Sequence, residues 1–159
     1  MGIAINIKRA RTARDYRVFG RLAREYIVSL NFDLDFQARD VDILKPSVDY
    51  GPRNRGAALL AVVADHDAVG ITGIRDLGSG RCELKRMYVQ QEWRGQGIGR
   101  MLCDEAVLVA KSLGYAAIRL DTLSRLRPAT HLYLSAGFQP IEPYRTNRFP
   151  DALFFELSL

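Results

Sequence analysis

Tyr88-Val-Gln-Gln-Glu-Trp-Arg-Gly-Gln-Gly-Ile-Gly-Arg-Met-Leu102 sets three glycines, Gly95, Gly97 and Gly99, between an apolar run and the start of a helical pattern. Glycine loses the most conformational freedom on folding, so this density marks a tight turn or a close approach by something bulky. The first N–H groups of a helix have no intrahelical acceptor, and the peptide dipoles add partial positive charge there. A loop stripped of side chains lets anion oxygens reach those donors, and Arg94 and Arg100 flank it. The alternative is a strand-to-helix turn that holds no ligand.

Working outward, Arg81–Val89 before the turn has strand chemistry, and alternation puts Cys82, Leu84, Arg86 and Tyr88 on one side and Glu83, Lys85, Met87 and Val89 on the other. Ala57 to Ala64 is a buried-strand pattern, turned by Asp65-His66-Asp67 into a strand over Ala68–Asp76, and Leu77-Gly-Ser-Gly80 makes the next turn. After the glycines, Gly97 to Leu113 is a helix with Ile98, Met101, Leu102, Leu108, Val109 and Leu113 expected inward, closed by Gly114. Tyr115–Asp121 is a strand, Pro128 opens another helix that ends at Gly137, and Ala152–Ser158 is a last strand.

At the front, Ile3, Ile5 and Ile7 alternate as a strand. Thr12 and Asp15 form a capping box for a helix whose apolar face runs Tyr16, Phe19, Leu22, Ala23, Tyr26, Ile27 and Leu30. A weaker helical segment over 36–45 stops near Pro46. The predicted architecture is an α/β (α+β) mixed central sheet of six to seven strands, flanked by about four helices, with a parallel crossover around 84–121. A Rossmann dinucleotide fold fits poorly: the glycines run Gly-x-Gly-x-Gly and follow antiparallel strands.

The 159 residues suit a single domain over 1–159, and a composition 48% hydrophobic and 26% charged is that of an ordinary globular chain. No apolar run approaches the ~20 residues of a membrane span and no secretory signal pattern opens the chain, so a cytoplasmic, non-membrane protein is expected. Cys82 and Cys103 are the two cysteines, too few and too scattered for a zinc site, and are expected as reduced core thiols; no metal is expected. The net charge of +5 is uneven. Residues 1–30 carry seven basic against two acidic side chains, whereas 31–50 contain Asp33, Asp35, Asp40, Asp42 and Asp49. No aromatic interleaving accompanies the basic run, so nucleic acid is not the expected partner.

Arg94-Gly-Gln-Gly97-Ile-Gly99 matches the Arg/Gln-x-x-Gly-x-Gly/Ala signature of the GNAT N-acetyltransferase superfamily, which the chain also resembles in Leu132-Tyr133-Leu-Ser-Ala-Gly137-Phe138 and in element order from residue 3 to 158. The resemblance implies acetyl-coenzyme A as co-substrate, its diphosphate on the glycine loop and its pantetheine along the preceding strand. Carried over by position, cofactor contact falls on Met87, Val89, Arg94, Gly95, Gln96, Gly97, Ile98, Gly99 and Arg100. It implies Tyr133 as proton donor to the departing thiolate, a carboxylate base at Glu83 or else Asp121, with Tyr88 as a further polar candidate, and the Val89 N–H as oxyanion donor. An asparagine that many relatives place seven positions before the tyrosine is Leu126 here; Ser124 and Thr130 are its candidate substitutes.

The acceptor end of such folds lies by the first helices, which points to Phe32, Asp33 and Asp35 as substrate-binding residues for a small amine or amino-acid-like acceptor. Two other classes stay open: an acyl-coenzyme A-binding module without turnover, and an acetyltransferase of protein or RNA steered by the arginine face. A homodimer is an assembly the resemblance allows.

Overall fold

The computed structural model describes residues 2–30, 41–64 and 66–159. Its strands are β1 (Ile5–Arg9), β2 (Ala57–Val63), β3 (Ala68–Gly78), β4 (Arg81–Val89), β5 (Ala117–Leu123), β6 (Gln139–Pro140) and β7 (Ala152–Ser158). They form one sheet in the order β1-β2-β3-β4-β5-β7-β6, antiparallel at every junction except β4 with β5. Five α-helices lie among the described residues: α1 (Ala13–Ser29), α2 (Val41–Leu44), α3 (Pro46–Asp49), α4 (Ile98–Ser112) and α5 (Arg127–Ser135).

The Thr12 hydroxyl accepts from the Asp15 N–H, and Asp15 answers by accepting from the Thr12 N–H, so the capping box starts α1 where the sequence predicts. Phe19, Leu22, Ala23 and Ile27 then press on Ala58, Leu60 and Ile71 on one face of the sheet. On the other face Leu102, Cys103, Ala106 and Ala110 of α4 cover Leu59, Ala61, Cys82 and Leu84. Met101 and Leu108 instead turn to solvent, which leaves a narrower inward stripe of Ile98, Leu102, Cys103, Ala106 and Ala110 than the sequence predicts. The weak helical segment ends at Leu44, just before Pro46 as the sequence predicts, and Pro46 then opens α3, where its missing N–H costs nothing.

The decisive departure from the sequence reading is in β4. Ile71 faces Tyr88 while Gly73 faces Lys85, so Arg86 and Met87 together oppose Thr72, a β-bulge with Arg86 at φ 59°. The extra residue inverts the alternation. Met87 and Val89 share the α4 side with Cys82 and Leu84, whereas Tyr88 turns to α1 and stacks tilted on Tyr26 with ring centroids 5.8 Å apart. Beyond Glu83, β4 also leaves β5: their parallel pairing covers only Arg81–Glu83 with Ala117–Arg119, while β5 stays paired to β7 through Leu123.

A buried ion pair supports the bulge. The Arg86 Nε and Nη2 donate to the two Asp42 carboxylate oxygens at 2.9 and 2.7 Å, and the Tyr50 hydroxyl donates to the same carboxylate. Tyr50 can lie flat there because position 73 is glycine; a Cβ would come within 2.5 Å of the Tyr50 ring. Burial alone would push the Asp42 carboxyl up, but the Arg86 bonds and charge and the Tyr50 hydroxyl outweigh it and hold the pKa at about 2.

The folded Asp42 holds its proton less tightly than the unfolded one. It therefore contributes about 2 kcal/mol above pH 4, lost as the pH falls towards 2. Asp42→Ala is expected to lower stability at pH 7 by at least about 2 kcal/mol, the coupling that a pKa of about 2 reflects, and to flatten the loss of stability between pH 4 and 2. Urea unfolding at a series of pH values checks both.

Candidate functional site

The divergence of β4 from β5 opens a cavity of about 400 Å³ in the sheet. Its walls are Leu84, Lys85 and Arg86 from β4, Asp121–Leu123 from β5, Tyr26, Ile27 and Leu30 from α1 and its C-cap, and the loop 145–149. The glycine turn lies at the far end of the same strand.

Gly95 and Gly97 adopt φ of 76° and 80°, and Gly97 is the N-cap of α4, as the anion-loop reading requires. None of the backbone N–H groups from Gly95 to Arg100 has an acceptor among the described residues; the first bond of the helix comes from the Met101 N–H to Gly97. That run of open donors, bare of side chains over each glycine in the left-handed region, fits a diphosphate in size and charge. Arg94 and Arg100 are partly occupied. Arg94 Nε donates to the Val89 carbonyl at 2.8 Å, and Arg100 pairs with Asp104 at 2.8 Å. Gln96 is exposed and Ile98 is buried beneath the turn.

Along β4, the Gln90 N–H donates to the Val69 carbonyl, so antiparallel alternation turns the N–H and C=O of Val89 away from β3 and towards the opening. Met87 and Val89 are half-buried against the α4-side core. Tyr133, on α5, is 5% exposed, packs edge-on to Phe138, and its hydroxyl makes no hydrogen bond with any described residue. Burial first, then the fields of Tyr26, Cys103 and Asp121, push its pKa well up and keep the phenol protonated. A buried hydroxyl without a partner is costly unless a ligand completes it.

The two carboxylates named from the sequence differ in access. Glu83 is wholly buried: Arg75 Nε and Nη2 reach Oε1 at 2.9 Å, Arg145 Nη1 stands at 3.5 Å, and the Tyr144 hydroxyl donates to Oε2 at 2.6 Å. It does not border the cavity; this enclosed network occupies the carboxylate instead. Asp121 does border it. Arg145 grips both its oxygens at 2.7 and 3.2 Å and Asn147 donates to Oδ2 at 2.9 Å, which leaves Oδ1 one acceptor position.

Other expectations resolve as follows. The Ser124 hydroxyl turns to Asp151 and the Thr130 hydroxyl donates to the Leu126 carbonyl, so neither is free to stand in for the asparagine; Leu126 itself lines the cavity. Burial raises the Cys82 and Cys103 thiols to about 12 and 11, which makes both inert. Phe32, Asp33 and Asp35 lie outside the described residues. Among the described residues no group of three His, Cys, Asp or Glu could hold a metal ion, and no helix is long and apolar enough to cross a membrane. The loop holding Tyr144, Arg145 and Asn147 was missed from sequence. Its polar density was visible, but nothing local said that it folds back on Glu83 and Asp121.

Comparison with known proteins agrees with this geometry. The family model for the acetyltransferase (GNAT) domain matches residues 55–140. An uncharacterized N-acetyltransferase of Schizosaccharomyces pombe is 36% identical over 98% of this chain and 95% of its own length. A GNAT-family acetyltransferase from Staphylococcus aureus superposes with a TM-score of 0.78 at 24% identity, covering 98% of this chain and 99% of that one. An acetyltransferase from Salmonella typhimurium, solved with its cofactor acetyl-CoA, superposes with a TM-score of 0.77 at 20% identity over 98% and 94%. At those identities the two structures speak to the fold.

Gly97→Ala places a side chain in the left-handed region at a cost of about 1–2 kcal/mol and over the open donors. Calorimetry with coenzyme A is expected to show Kd raised at least about tenfold, with a modest fall in melting temperature.

Proposed function

Because the chain belongs to the GNAT acetyltransferase family, we propose that it transfers an acetyl group from acetyl-coenzyme A directly to the amine of a small, amino-acid-like acceptor held in the cavity between β4 and β5. The observation that carries this reading is the buried Tyr133 hydroxyl, which has no hydrogen-bond partner among the described residues and lies in the fields of Cys103 on α4 and of Tyr26 and Asp121 on the cavity wall.

Acetyl-coenzyme A supplies the acetyl group as a thioester. The N–H groups from Gly95 to Arg100 hold its diphosphate, with Arg94 and Arg100 adding charge at the rim. The Val89 N–H, turned to the opening, donates to the thioester carbonyl oxygen and stabilises the negative charge that develops there. Met87 and Val89 give the pantetheine arm an exposed strand edge. Asp121, the carboxylate that borders the cavity, uses its remaining Oδ1 position to take one proton from the acceptor ammonium. The freed amine bonds to the carbonyl carbon, and as the C–S bond breaks Tyr133 gives its proton to the departing sulfur and is reprotonated by the second proton leaving the new amide nitrogen. Glu83, sealed behind Arg75, Arg145 and Tyr144, acts as a positioning residue that fixes Arg145 and through it Asp121.

The readings of a non-catalytic module and of a macromolecular acceptor gain less. Asp121 borders the cavity and Tyr133 offers a buried proton donor, and part of the basic excess is neutralised internally: Arg14 and Arg21 converge on Asp67, and Lys8 pairs with Asp15.

Thiol release from acetyl-coenzyme A with a panel of primary amines tests the proposal. Tyr133→Phe is expected to lower kcat by about 100-fold or more while leaving the KM for acetyl-coenzyme A within about threefold, the signature of a lost general acid. Full turnover in that variant would remove Tyr133 from the chemistry. Tight cofactor binding with no release for any acceptor would favour the module.

A further inference from the structure

The cavity wall carries a charge that no described residue compensates. Arg86 is paired with Asp42, Arg145 with Asp121 and more distantly with Glu83, and Arg75 with Glu83. Three carboxylates thus serve three guanidinium groups, with Tyr144 and Asn147 taking further acceptor positions. Four cations line the cavity, Lys85, Arg86, Arg145 and Arg148; Arg148 is engaged over the Phe149 ring, and Lys85 is the one without a counter-charge in contact among the described residues. Half-buried on the β4 wall, its ammonium has no hydrogen bond or ion pair with any described residue.

Lys85 stands among like charges. Desolvation, then Arg86 and Arg75, push its pKa down to about 8 against the weaker pull of Glu83, so it remains largely an ammonium at neutral pH. A partly desolvated cation without a counter-ion is unfavourable, and a bound anion would relieve it. Asp33, Asp35 and Asp40 lie outside the described residues.

Ile27, Leu30, Leu123 and Phe149 make the apolar part of the lining, with the Arg125 and Arg148 guanidinium groups over the Phe149 ring. The acceptor amine has its own place at Asp121, whose charge is cancelled by Arg145 but whose Oδ1 can still accept one hydrogen bond.

We propose that Lys85 is the specificity-determining residue of this cavity, binding the carboxylate of an acceptor that is an amino acid with an apolar side chain. This rests on the acetyl-transfer reading above and narrows it. Neutral amines of the same shape fill the apolar wall but leave Lys85 without its counter-charge, so they are used poorly.

The test compares phenylalanine with phenylalaninamide as acceptors, in the native protein, Lys85→Met and Lys85→Arg. In parallel, calorimetry in the presence of coenzyme A measures N-acetylphenylalanine against N-acetylphenylalaninamide. The native protein is expected to favour the carboxylate in kcat/KM by roughly 10- to 100-fold, the range of a charge-assisted hydrogen bond. Lys85→Met should lose that preference mainly through KM, Lys85→Arg should keep most of it, and calorimetry should follow the same order. Equal use of acid and amide by the native protein, or a preference that survives in Lys85→Met, overturns the proposal and leaves the transferase reading intact. Binding of N-acetylphenylalanine that depends on Lys85, without turnover of either acceptor, supports the anion site and counts against the transferase reading instead.

Discussion

The grip of Arg86 on Asp42 is the interaction on which the rest of the structure depends. An arginine at φ 59° in mid-strand is unfavourable by itself, and it persists because its guanidinium is locked on both oxygens of a buried carboxylate that Tyr50 also holds. Gly73 makes room for Tyr50, and α2 brings Asp42. From this one position follow the inverted alternation of β4, the early end of its pairing with β5, and the cavity between them. The same inversion sends Tyr88 to α1 and Met87 and Val89 to the α4 side, so the two faces of the opening acquire different chemistry.

Electrostatics then divides the site into closed and open groups. Glu83, Asp42 and most of Asp121 are closed, each saturated by guanidinium and hydroxyl or amide donors. The N–H groups from Gly95 to Arg100, the Tyr133 hydroxyl and the Lys85 ammonium are open. A protein that satisfies its buried polar groups as a rule leaves donors unpaired where a ligand completes them. Among the described residues these open groups are donors, and Asp121 Oδ1 adds one open acceptor position on the cavity. A thioester carrier with a charged tail at one end and a carboxylate-bearing acceptor at the other would complete them.

Much of the fold was legible because its signals are local. Thr12 and Asp15 start α1, the period-2 run of β4 spans the residues observed, Gly97 and Gly114 bracket α4, and Pro128 opens α5, each through the backbone preferences of one residue and its near neighbours. The glycine turn was legible for the same reason, since donors at a helix start follow from the helix itself. The bulge was not, because nothing in Lys85-Arg86-Met87 differs from an ordinary strand. Nor was the choice between the two carboxylates, which turns on a loop that carries no periodic pattern.

By itself the sequence determined where the chain turns, which segments are strands and helices, and where an anion would meet bare backbone, since each depends on conformational preferences within a few residues. Only the tertiary structure decided which face each β4 side chain occupies, that Glu83 is sealed while Asp121 borders the cavity, and that Lys85 stands there without an ion pair among the described residues. Those outcomes rest on pairings between distant segments, Asp42 with Arg86, Tyr144 with Glu83 and Arg145 with Asp121, whose energies exist only once the sheet has assembled.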